Sequence, residues 1–312
     1  MSGIKPAASL ILCRRMGPGK GEFQVLMAKR SAKGTFKSLH VYPGGAVDGH
    51  DTIFARTLAS ASEKSNLSLS EYRLAAVRET FEESGLLLGA PAQAALEAAS
   101  TWRAAVHANA AQFATMCSSL SYNPPLFRLV HWSHWITPIV EKRRFDTHFF
   151  LTTFTGHHDA AADGRETVLQ EWIRPADALR AFADGDISLF PPQYTTLREL
   201  ACLSFEDVQA FVDGTRVRDP ARLVPCQPEP HVCDVDGNVM LLPGDWEHPI
   251  TREYAGTALR HVGEGAKNRI RFLFGKGPDN QKVLKGFQMI TTGGNDGFGA
   301  ARASFSSPSS KL

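Results

Sequence analysis

The segment Arg78-Glu79-Thr80-Phe81-Glu82-Glu83-Ser84-Gly85 constrains this chain more than any other part of the sequence. An ideal α-helix turns about 100° per residue, so the three glutamates lie within one arc of about 100°. Leu74, Val77 and Phe81 lie roughly opposite that arc. The pattern predicts a helix with one apolar side buried in a core and a cluster of carboxylates on the other side.

A cluster of this kind is unfavourable by itself, because two carboxylates about 6 Å apart repel by roughly 3 kcal/mol at an effective dielectric constant near 20. Either one carboxylate takes up a proton or a cation binds. Mg²⁺ and Mn²⁺, hard ions that prefer oxygen ligands, fit such a site best. Arg78 can neutralise part of the cluster and hold one carboxylate in position. The alternative interpretation is a solvated acidic helix face, which is what a run of charges usually is.

Local signals also predict where this helix begins and ends. Ser68 and Glu71 match the S-x-x-E capping box, which indicates a start near Leu69. Gly85 suits the left-handed conformation that ends many helices. Upstream, Pro43-Gly44-Gly45 ends a basic loop at a flexible glycine pair.

The rest of the chain alternates between strand-like and helical patterns. Strands are predicted at residues 8–14, 23–29, 130–137 and 145–154, and later in a hairpin at 234–243 and a strand pair at 270–274 and 286–291. Helices are predicted at residues 91–120, 171–183 and 194–211. Residues 48–70 form a polar, serine-rich stretch.

The composition narrows the possible function classes. The 34 basic and 32 acidic residues give a net charge of +2, which excludes binding of nucleic acid through overall positive charge. An anionic ligand therefore needs a local basic cluster. Five scattered cysteines without zinc-type spacing indicate free thiols in a reducing compartment. No segment is long and apolar enough to span a membrane, so no membrane partner is expected.

The glutamate segment resembles the second half of the Nudix box, G-x5-E-x7-R-E-U-x-E-E-x-G-U, in which U is apolar. From Arg78 to Leu86 every fixed position matches except Thr80, which stands at an apolar position. Gly45 resembles the glycine that opens the box, and Asp51 stands where the family has glutamate. Between Asp51 and Arg78 there are 26 residues instead of seven, an insertion of 19.

A lengthened box is a property of one Nudix subgroup, the peroxisomal coenzyme A and acyl-CoA diphosphatases. Other segments are similar to the same subgroup: residues 30–32, 132–138, 144–150, 191–193 and 241–245. The sequence ends in Ser310-Lys311-Leu312, a tripeptide that the peroxisomal import receptor recognises at a free carboxyl terminus. A peroxisomal location, with this receptor as a partner, is therefore expected.

The resemblance implies an α+β fold, the Nudix α/β/α sandwich with a mixed sheet, a helical insertion and a C-terminal extension. We place the Nudix domain at residues 8–215, with insertions at 52–70 and 91–125. Residues 216–292 are expected to form a β-rich extension packed on this domain. Residues 293–312, rich in glycine and serine, are expected to form a flexible tail with the terminal tripeptide.

The resemblance also implies roles for individual residues. Glu79, Glu82 and Glu83 are the expected metal ligands, and Glu82 or Glu83 assists deprotonation of the attacking water. Arg78 acts electrostatically beside them in the catalytic set. The expected substrate-binding residues are Arg30, Lys33, Gly44, Gly45, Arg144 and Asp146. A further carboxylate from outside the helix has three candidates: Asp146, Glu166 and Glu171.

The predicted reaction is metal-dependent hydrolysis of the diphosphate bond of coenzyme A or acyl-CoA to 3′,5′-ADP and (acyl-)phosphopantetheine. One alternative is a Nudix hydrolase of another nucleoside diphosphate derivative, such as NADH or ADP-ribose. A second alternative is a catalytically silent Nudix module that binds a nucleotide, and the intact E-x-x-E-E pattern argues against it.

Overall fold

A mixed seven-stranded sheet forms the centre of the computed structural model, which describes residues 3–17, 21–30, 39–60, 67–156, 160, 167–233, 237–253, 265–276 and 282–291. Its strands are β1 (Lys5–Arg15), β2 (Phe23–Arg30), β3 (His40–Val41), β4 (Gly44–Ala46), β5 (Val130–Ile136), β6 (Phe145–Phe154) and β7 (Thr167–Ile173). The strand order is β3-β2-β1-β6-β5, while β4 also pairs with β1 and β7 with β2. Strand β1 is parallel to β6 and antiparallel to β2 and β4, so the sheet is mixed.

Five helices pack together on one face of this sheet. They are α1 (Gly49–Ser60), α2 (Ser70–Ser84), α3 (Ala92–Thr101), α4 (Arg103–Ala108) and α5 (Ala111–Ser119). Leu10 and Leu12 of β1 share a core with Leu74 and Phe81 of α2. The apolar side of α2 is therefore buried as the helical pattern predicts.

A second core lies on the opposite face of the sheet. It includes side chains from α6 (Pro175–Asp184), α7 (Pro191–Leu200) and α8 (Phe205–Val212). Ile11 and Cys13 of β1 face this core, whereas Leu10 and Leu12 face the first one. Because both faces of β1 are buried, this strand is a continuous apolar run and not an alternating one. The layers thus form the α/β/α arrangement that the resemblance implies.

The C-terminal region forms a second sheet. Its strands are β8 (Glu229–Cys233), β9 (Gly237–Leu241), β10 (Asn268–Lys276) and β11 (Lys282–Thr291), in the order β11-β10-β9-β8, and α9 (Pro249–Glu253) precedes β10. Ile270 and Phe287 belong to the second core of the main domain. Asp245 and Arg269, 0% and 2% exposed, are joined by bonds of 2.8 and 2.9 Å. This buried pair fixes β10 to the segment after β9.

Most of the predicted strands and helices are confirmed, and the late strand pair is β10 and β11. A hairpin is present near residues 234–243, but its first strand is β8, which precedes the predicted range, and residues 234–236 lie outside the described part. The helix predicted from residue 171 is wrong at its start, because residues 171–173 belong to β7 and pair with β2. Helix α6 begins at Pro175, whose fixed φ angle suits a first helical position.

Helix α2 begins and ends where the sequence predicts, but its start is not capped as predicted. Gly85 adopts a left-handed conformation with φ 75°, and its amide donates to the Phe81 carbonyl at 2.8 Å. The predicted capping box is wrong, because Leu69 occupies the N-cap position with φ 58° and no side chain caps the helix there. The Ser68 carbonyl instead accepts a hydrogen bond from Arg73 at 3.0 Å.

Both insertions contribute helices. The serine-rich stretch at 48–70 contains α1, for which no helix was predicted, and residues 61–66 lie outside the described part. Residues 91–125 contain α3, α4 and α5. Among the described helices, none combines the length and apolar character that a membrane span requires. Cys13, Cys117, Cys202 and Cys226 are free thiols, as predicted.

Candidate active site and metal centre

Arg78 lies at the centre of a buried group of carboxylates. Its Nε and Nη2 donate to the two carboxylate oxygens of Asp51 at 2.9 and 2.8 Å. Its Nη1 donates to Glu79 at 2.9 Å and to Glu82 at 2.6 Å. Nη2 also donates to the Ala46 carbonyl at 3.1 Å. The guanidinium is therefore fixed between α1, α2 and β4, and it holds two of the three helix glutamates in place.

The glycine pair on β4 lets the backbone of the sheet touch the glutamates. The Gly44 amide donates to Oε2 of Glu83 at 3.3 Å. A Cβ atom at Gly45 would lie 2.5 Å from Cδ of Glu79, and one at Gly44 would lie 2.4 Å from the carbonyl oxygen of Ala8. A side chain at either position would displace a carboxylate or β1.

Burial of the carboxylates excludes the solvated acidic face. Glu82 and Glu83 are 6% and 4% exposed. Burial raises the pKa of Glu79 to about 7; the positive charge of Arg78 opposes this rise and the negative charge of Glu82 adds to it. Three carboxylates, those of Asp51, Glu79 and Glu82, bond to one guanidinium, and Glu83 accepts from the Gly44 amide. When all four are ionised, the group carries an excess of three negative charges. Such an excess of buried oxygen ligands suits divalent cations.

The C-terminal end of α2 is held by side chains from two other elements. Arg103 of α4 donates from Nε to the Glu82 carbonyl at 2.8 Å and from Nη2 to the Glu83 carbonyl at 2.6 Å. Gln170 of β7 donates to the Glu83 carbonyl at 3.1 Å. The last carbonyls of a helix lack partners within the helix, so these bonds stabilise the turn that carries two of the glutamates.

Thr80 occupies the position where the Nudix pattern has an apolar residue, and it is fully buried. Its hydroxyl donates to the Ala76 carbonyl of the same helix at 2.7 Å. A buried hydroxyl with a partner within the helix carries little desolvation penalty, so threonine is tolerated at this position.

A cleft of about 620 Å³ opens over the carboxylates. The residues that line it are 45–48, His50, Arg78, Glu79, Glu82, Glu83 and 106–110. One wall is therefore the junction of α4 and α5 in the helical insertion. His107 in this wall has its Nδ1 3.5 Å from Oε2 of Glu82. Arg103 and His107 were not predicted from the sequence, because the alanine-rich insertion carries no motif that would single them out.

Arg30 and Arg144, two of the expected substrate-binding residues, are not among the described residues that line this cleft. Arg144 donates from Nε to the Thr137 carbonyl and from Nη2 to Gln227, both at 2.9 Å, so it links the β5–β6 turn to the C-terminal region. Arg30 lies at the end of β2 and is not among the described residues that line the cleft. Lys33 lies outside the described residues.

Asp146 and Glu171, two of the carboxylate candidates from outside the helix, do not contact the glutamate group in the structure. Asp146 lies on β6, where it contacts His134, and its strand is separated from β4 by β1. Glu171 pairs with Met27, a residue of the second core, so it projects from the sheet face opposite to α2. Glu166 lies outside the described residues. Asp51, on α1, is the carboxylate from another element that does join the group.

Comparisons with known proteins agree with this geometry. Residues 52–200 match the model of the NUDT19 Nudix domain. Acyl-coenzyme A diphosphatase NUDT19 of Xenopus laevis is 28% identical over 284 residues, which cover 75% of this chain and 74% of that protein. The human protein of the same name is 29% identical over 280 residues, which cover 74% and 73% of the two chains. These matches indicate a Nudix hydrolase domain in this chain.

A solved structure supports the same fold. The crystal structure of a Nudix hydrolase from Alicyclobacillus acidocaldarius is 22% identical, with a TM-score of 0.55, and covers 70% of this chain and 98% of that one. Nudix hydrolases act on diphosphate bonds with divalent metal ions, and the buried oxygen ligands on α2 fit such ions. The matched segment contains the Nudix helix α2 and the helical insertion.

Proposed function

We propose that this Nudix hydrolase cleaves the diphosphate bond of coenzyme A or acyl-CoA, releasing 3′,5′-ADP and (acyl-)phosphopantetheine. The observation that carries the proposal is the group of three helix glutamates, Glu79, Glu82 and Glu83, that lines the cleft beside Arg78. The relatives named acyl-coenzyme A diphosphatase support the substrate class. A cleft of about 620 Å³ has the size of a small-molecule site.

Mg²⁺ or Mn²⁺ is the proposed cofactor, with Glu79, Glu82 and Glu83 as its ligands. The fit rests on two properties of the glutamates. Their ligand atoms are all oxygens, and their negative charge exceeds what the one guanidinium of Arg78 can neutralise. When bound, divalent ions neutralise the diphosphate and lower the pKa of a coordinated water.

The residues of the chain supply positioning and proton transfer. Glu82 or Glu83 accepts the proton of the attacking water. The water oxygen bonds to one phosphorus, and the bond from that phosphorus to the bridging oxygen breaks with its electron pair on the leaving phosphate. Arg78 holds the carboxylates in position through its bonds to Asp51 and Glu82.

A substrate panel with products identified by mass spectrometry tests the proposal. Coenzyme A, acyl-CoA, dephospho-CoA, NADH and ADP-ribose are each incubated with the full chain and Mg²⁺ or Mn²⁺. We expect 3′,5′-ADP from coenzyme A and a strong preference over dephospho-CoA, which lacks the 3′-phosphate. Cleavage of NADH or ADP-ribose without formation of 3′,5′-ADP would instead support the alternative Nudix hydrolase.

The substitution Glu83→Gln tests whether this chain is an enzyme or a catalytically silent module that binds a nucleotide. The change keeps the size of the side chain and removes its charge, so the protein should stay folded while turnover falls by about 10²-fold or more. Glu97→Gln on the exposed surface of α3 is the matched control and should leave turnover unchanged. Equal turnover in Glu83→Gln and the wild type would refute the role of Glu83.

We also propose the domain division at residues 8–215 and 216–292, and peroxisomal import of a chain whose carboxyl terminus is Leu312. The import proposal rests on sequence alone, because residues 293–312 lie outside the described part. A fluorescent protein carrying residues 293–312 at its carboxyl end should enter peroxisomes. The same fusion without the last three residues should stay in the cytosol, and equal distribution of both would refute the proposal.

A further inference from the structure

We propose that His134, Asp146 and His148 form a second metal site, distinct from the glutamate cluster, that binds a transition-metal ion of the zinc class. One potential ligand atom of each residue lies within 4.8 Å of the other two. A set of two imidazole nitrogens and one carboxylate oxygen suits Zn²⁺, whereas Mg²⁺ prefers oxygen ligands throughout. The proposal does not depend on the substrate of the glutamate site.

Two paired strands hold the three side chains on one face of the sheet. His134 of β5 lies directly opposite His148 of β6, and Asp146 precedes His148 by two residues. The two imidazole rings are stacked with their centroids 4.0 Å apart. Oδ1 of Asp146 is hydrogen-bonded to Nε2 of His134 and lies 4.0 Å from Nε2 of His148. Ligands around tetrahedral zinc are separated by about 3.3 Å, so side-chain movements of about 1 Å would complete the site.

His131 provides the orienting contact that zinc-binding histidines usually have. Its Nε2 lies 3.0 Å from Nδ1 of His148. When Nδ1 of His148 donates to His131, the lone pair of His148 is on Nε2, the nitrogen closer to the Asp146 carboxylate. A hydrogen bond from the second ring nitrogen commonly fixes the tautomer and orientation of a metal-bound histidine.

The site is enclosed on one side and accessible on the other. The side chains of His134 and His148 are 13% and 9% exposed, whereas that of Asp146 is 34% exposed. The Tyr72 ring of α2 packs edge-on against His148, with centroids 4.5 Å apart. Three protein ligands leave one tetrahedral position for water or an anionic group, which is typical of zinc sites that bind an exogenous ligand.

The second site lies on the same face of the sheet as the glutamate cluster. Gly45, Ala8, His148 and His134 are successive partners across β4, β1, β6 and β5. With about 4.8 Å between strands, the Cα atoms of Gly45 and His148 are about 10 Å apart. Gly45 is the residue that contacts Glu79. The two sites therefore share no ligand but are close enough for one extended ligand to reach both.

Zinc binding to a chain with the glutamate site disabled tests the proposal. The full chain carrying Glu79→Gln, Glu82→Gln and Glu83→Gln is dialysed against Zn²⁺ alone, and bound metal is measured by mass spectrometry. We expect about one Zn²⁺ per chain. His131→Ala should weaken this affinity by about 10- to 100-fold, as expected for an orienting residue. The combination His134→Ala and His148→Ala should weaken it further.

A matched control removes an imidazole elsewhere. His231→Ala on β8, outside the three-residue group, should leave zinc affinity unchanged. Equal zinc affinity with and without His134 and His148 would overturn the proposal.

Anomalous diffraction from zinc-soaked crystals of the unmodified protein does not depend on the folding of any variant. We expect a peak about 2.1 Å from a ring nitrogen of His134 and of His148. A zinc peak confined to the glutamate cluster would overturn the second site.

Discussion

Asp51 and Arg78 form a buried ion pair with hydrogen bonds of 2.9 and 2.8 Å, although 26 residues lie between them in the chain. Asp51 lies in the first turn of α1 and Arg78 lies within α2. The Asp48 amide donates to the same carboxylate at 2.9 Å and fixes its orientation. The long insertion therefore lengthens the segment between the two halves of the Nudix pattern, but Asp51 and Arg78 remain in contact.

Asp51→Asn should reduce both stability and turnover. The free energy of unfolding should fall by about 1–3 kcal/mol, because Arg78 loses its bonds to one charged partner and keeps those to Glu79 and Glu82. The remaining amide cannot hold Arg78 as tightly, so kcat should fall by about 10-fold or more. Urea denaturation and steady-state kinetics measure the two effects.

Asp51→Glu is the matched variant, since it keeps the charge and restores the residue of the Nudix pattern. It should retain more stability and turnover than Asp51→Asn. Wild-type stability in Asp51→Asn would mean that the ion pair does not hold Arg78.

Arg103→Ala should lower kcat with little change in KM. The substitution removes the donors to the Glu82 and Glu83 carbonyls, so the last turn of α2 loosens while the cleft wall at residues 106–110 remains. Loss of these bonds should lower the free energy of unfolding by about 1–3 kcal/mol. Arg180→Ala is the control, because that arginine is 69% exposed and pairs only with Asp177 in the described contacts. An equal effect of both substitutions on kcat would argue against positioning by Arg103.

Gly45→Ala should displace Glu79 and weaken metal binding. The new Cβ would lie 2.5 Å from Cδ of Glu79, much closer than carbon atoms normally approach. The apparent Kd for Mn²⁺, followed by electron paramagnetic resonance, should rise by about 10-fold or more. Gly49→Ala is the matched control, because nothing lies within 4 Å of a Cβ at that position. Unchanged Mn²⁺ affinity in Gly45→Ala would contradict the close approach of strand and helix.

Metal affinity should rise with pH up to about pH 7. The pKa of Glu79 is raised to about 7, chiefly by burial, so this carboxyl binds a proton in the metal-free folded chain at lower pH. A metal ion must displace that proton, which gives up to about a 10-fold gain in affinity per pH unit below the pKa. Titration calorimetry with Mn²⁺ in buffers of different ionisation enthalpy should show proton release at pH 6 that is smaller at pH 8. Glu79→Gln should abolish this release, and a pH-independent Kd in the wild type would exclude the titration of Glu79.

The same shift predicts how the stability of the metal-free chain depends on pH. Because the folded pKa of Glu79 lies above its ordinary value of 4.5, the folded state binds more protons than the unfolded chain between these two values. The stability that protonated Glu79 contributes is therefore fully present below pH 4.5 and is lost as the pH rises through 7. Glu79→Gln should flatten this part of the stability profile, and an unchanged profile would contradict the shift.

Local sequence signals predicted the parts of the site that lie within one helix. The spacing of Glu79, Glu82 and Glu83 specifies their common side of α2, and Gly85 specifies its end, because both depend only on helix geometry. The position of the start of α2 was predicted as well, but the way in which it is capped was not. Leu69 adopts a left-handed conformation that its side chain does not favour, so tertiary packing overrides the capping signal.

Contacts between distant segments were much harder to predict. Glu171 is excluded from the site by the register of β7, which places Gln170 toward α2 and Glu171 away from it. A shift of one residue would reverse these roles, and a single sequence does not specify the register. Arg103 depends in the same way on how α4 packs against α2.

The helical insertion joins two properties that are often treated as separate. Its residues 106–110 shape one side of the cleft over the carboxylates, and its Arg103 bonds to the end of α2. Exchange of this segment between related enzymes would therefore transfer substrate preference and helix rigidity together. Efforts to redesign selectivity by editing residues 91–125 should alter turnover as well, unless an arginine equivalent to Arg103 is retained.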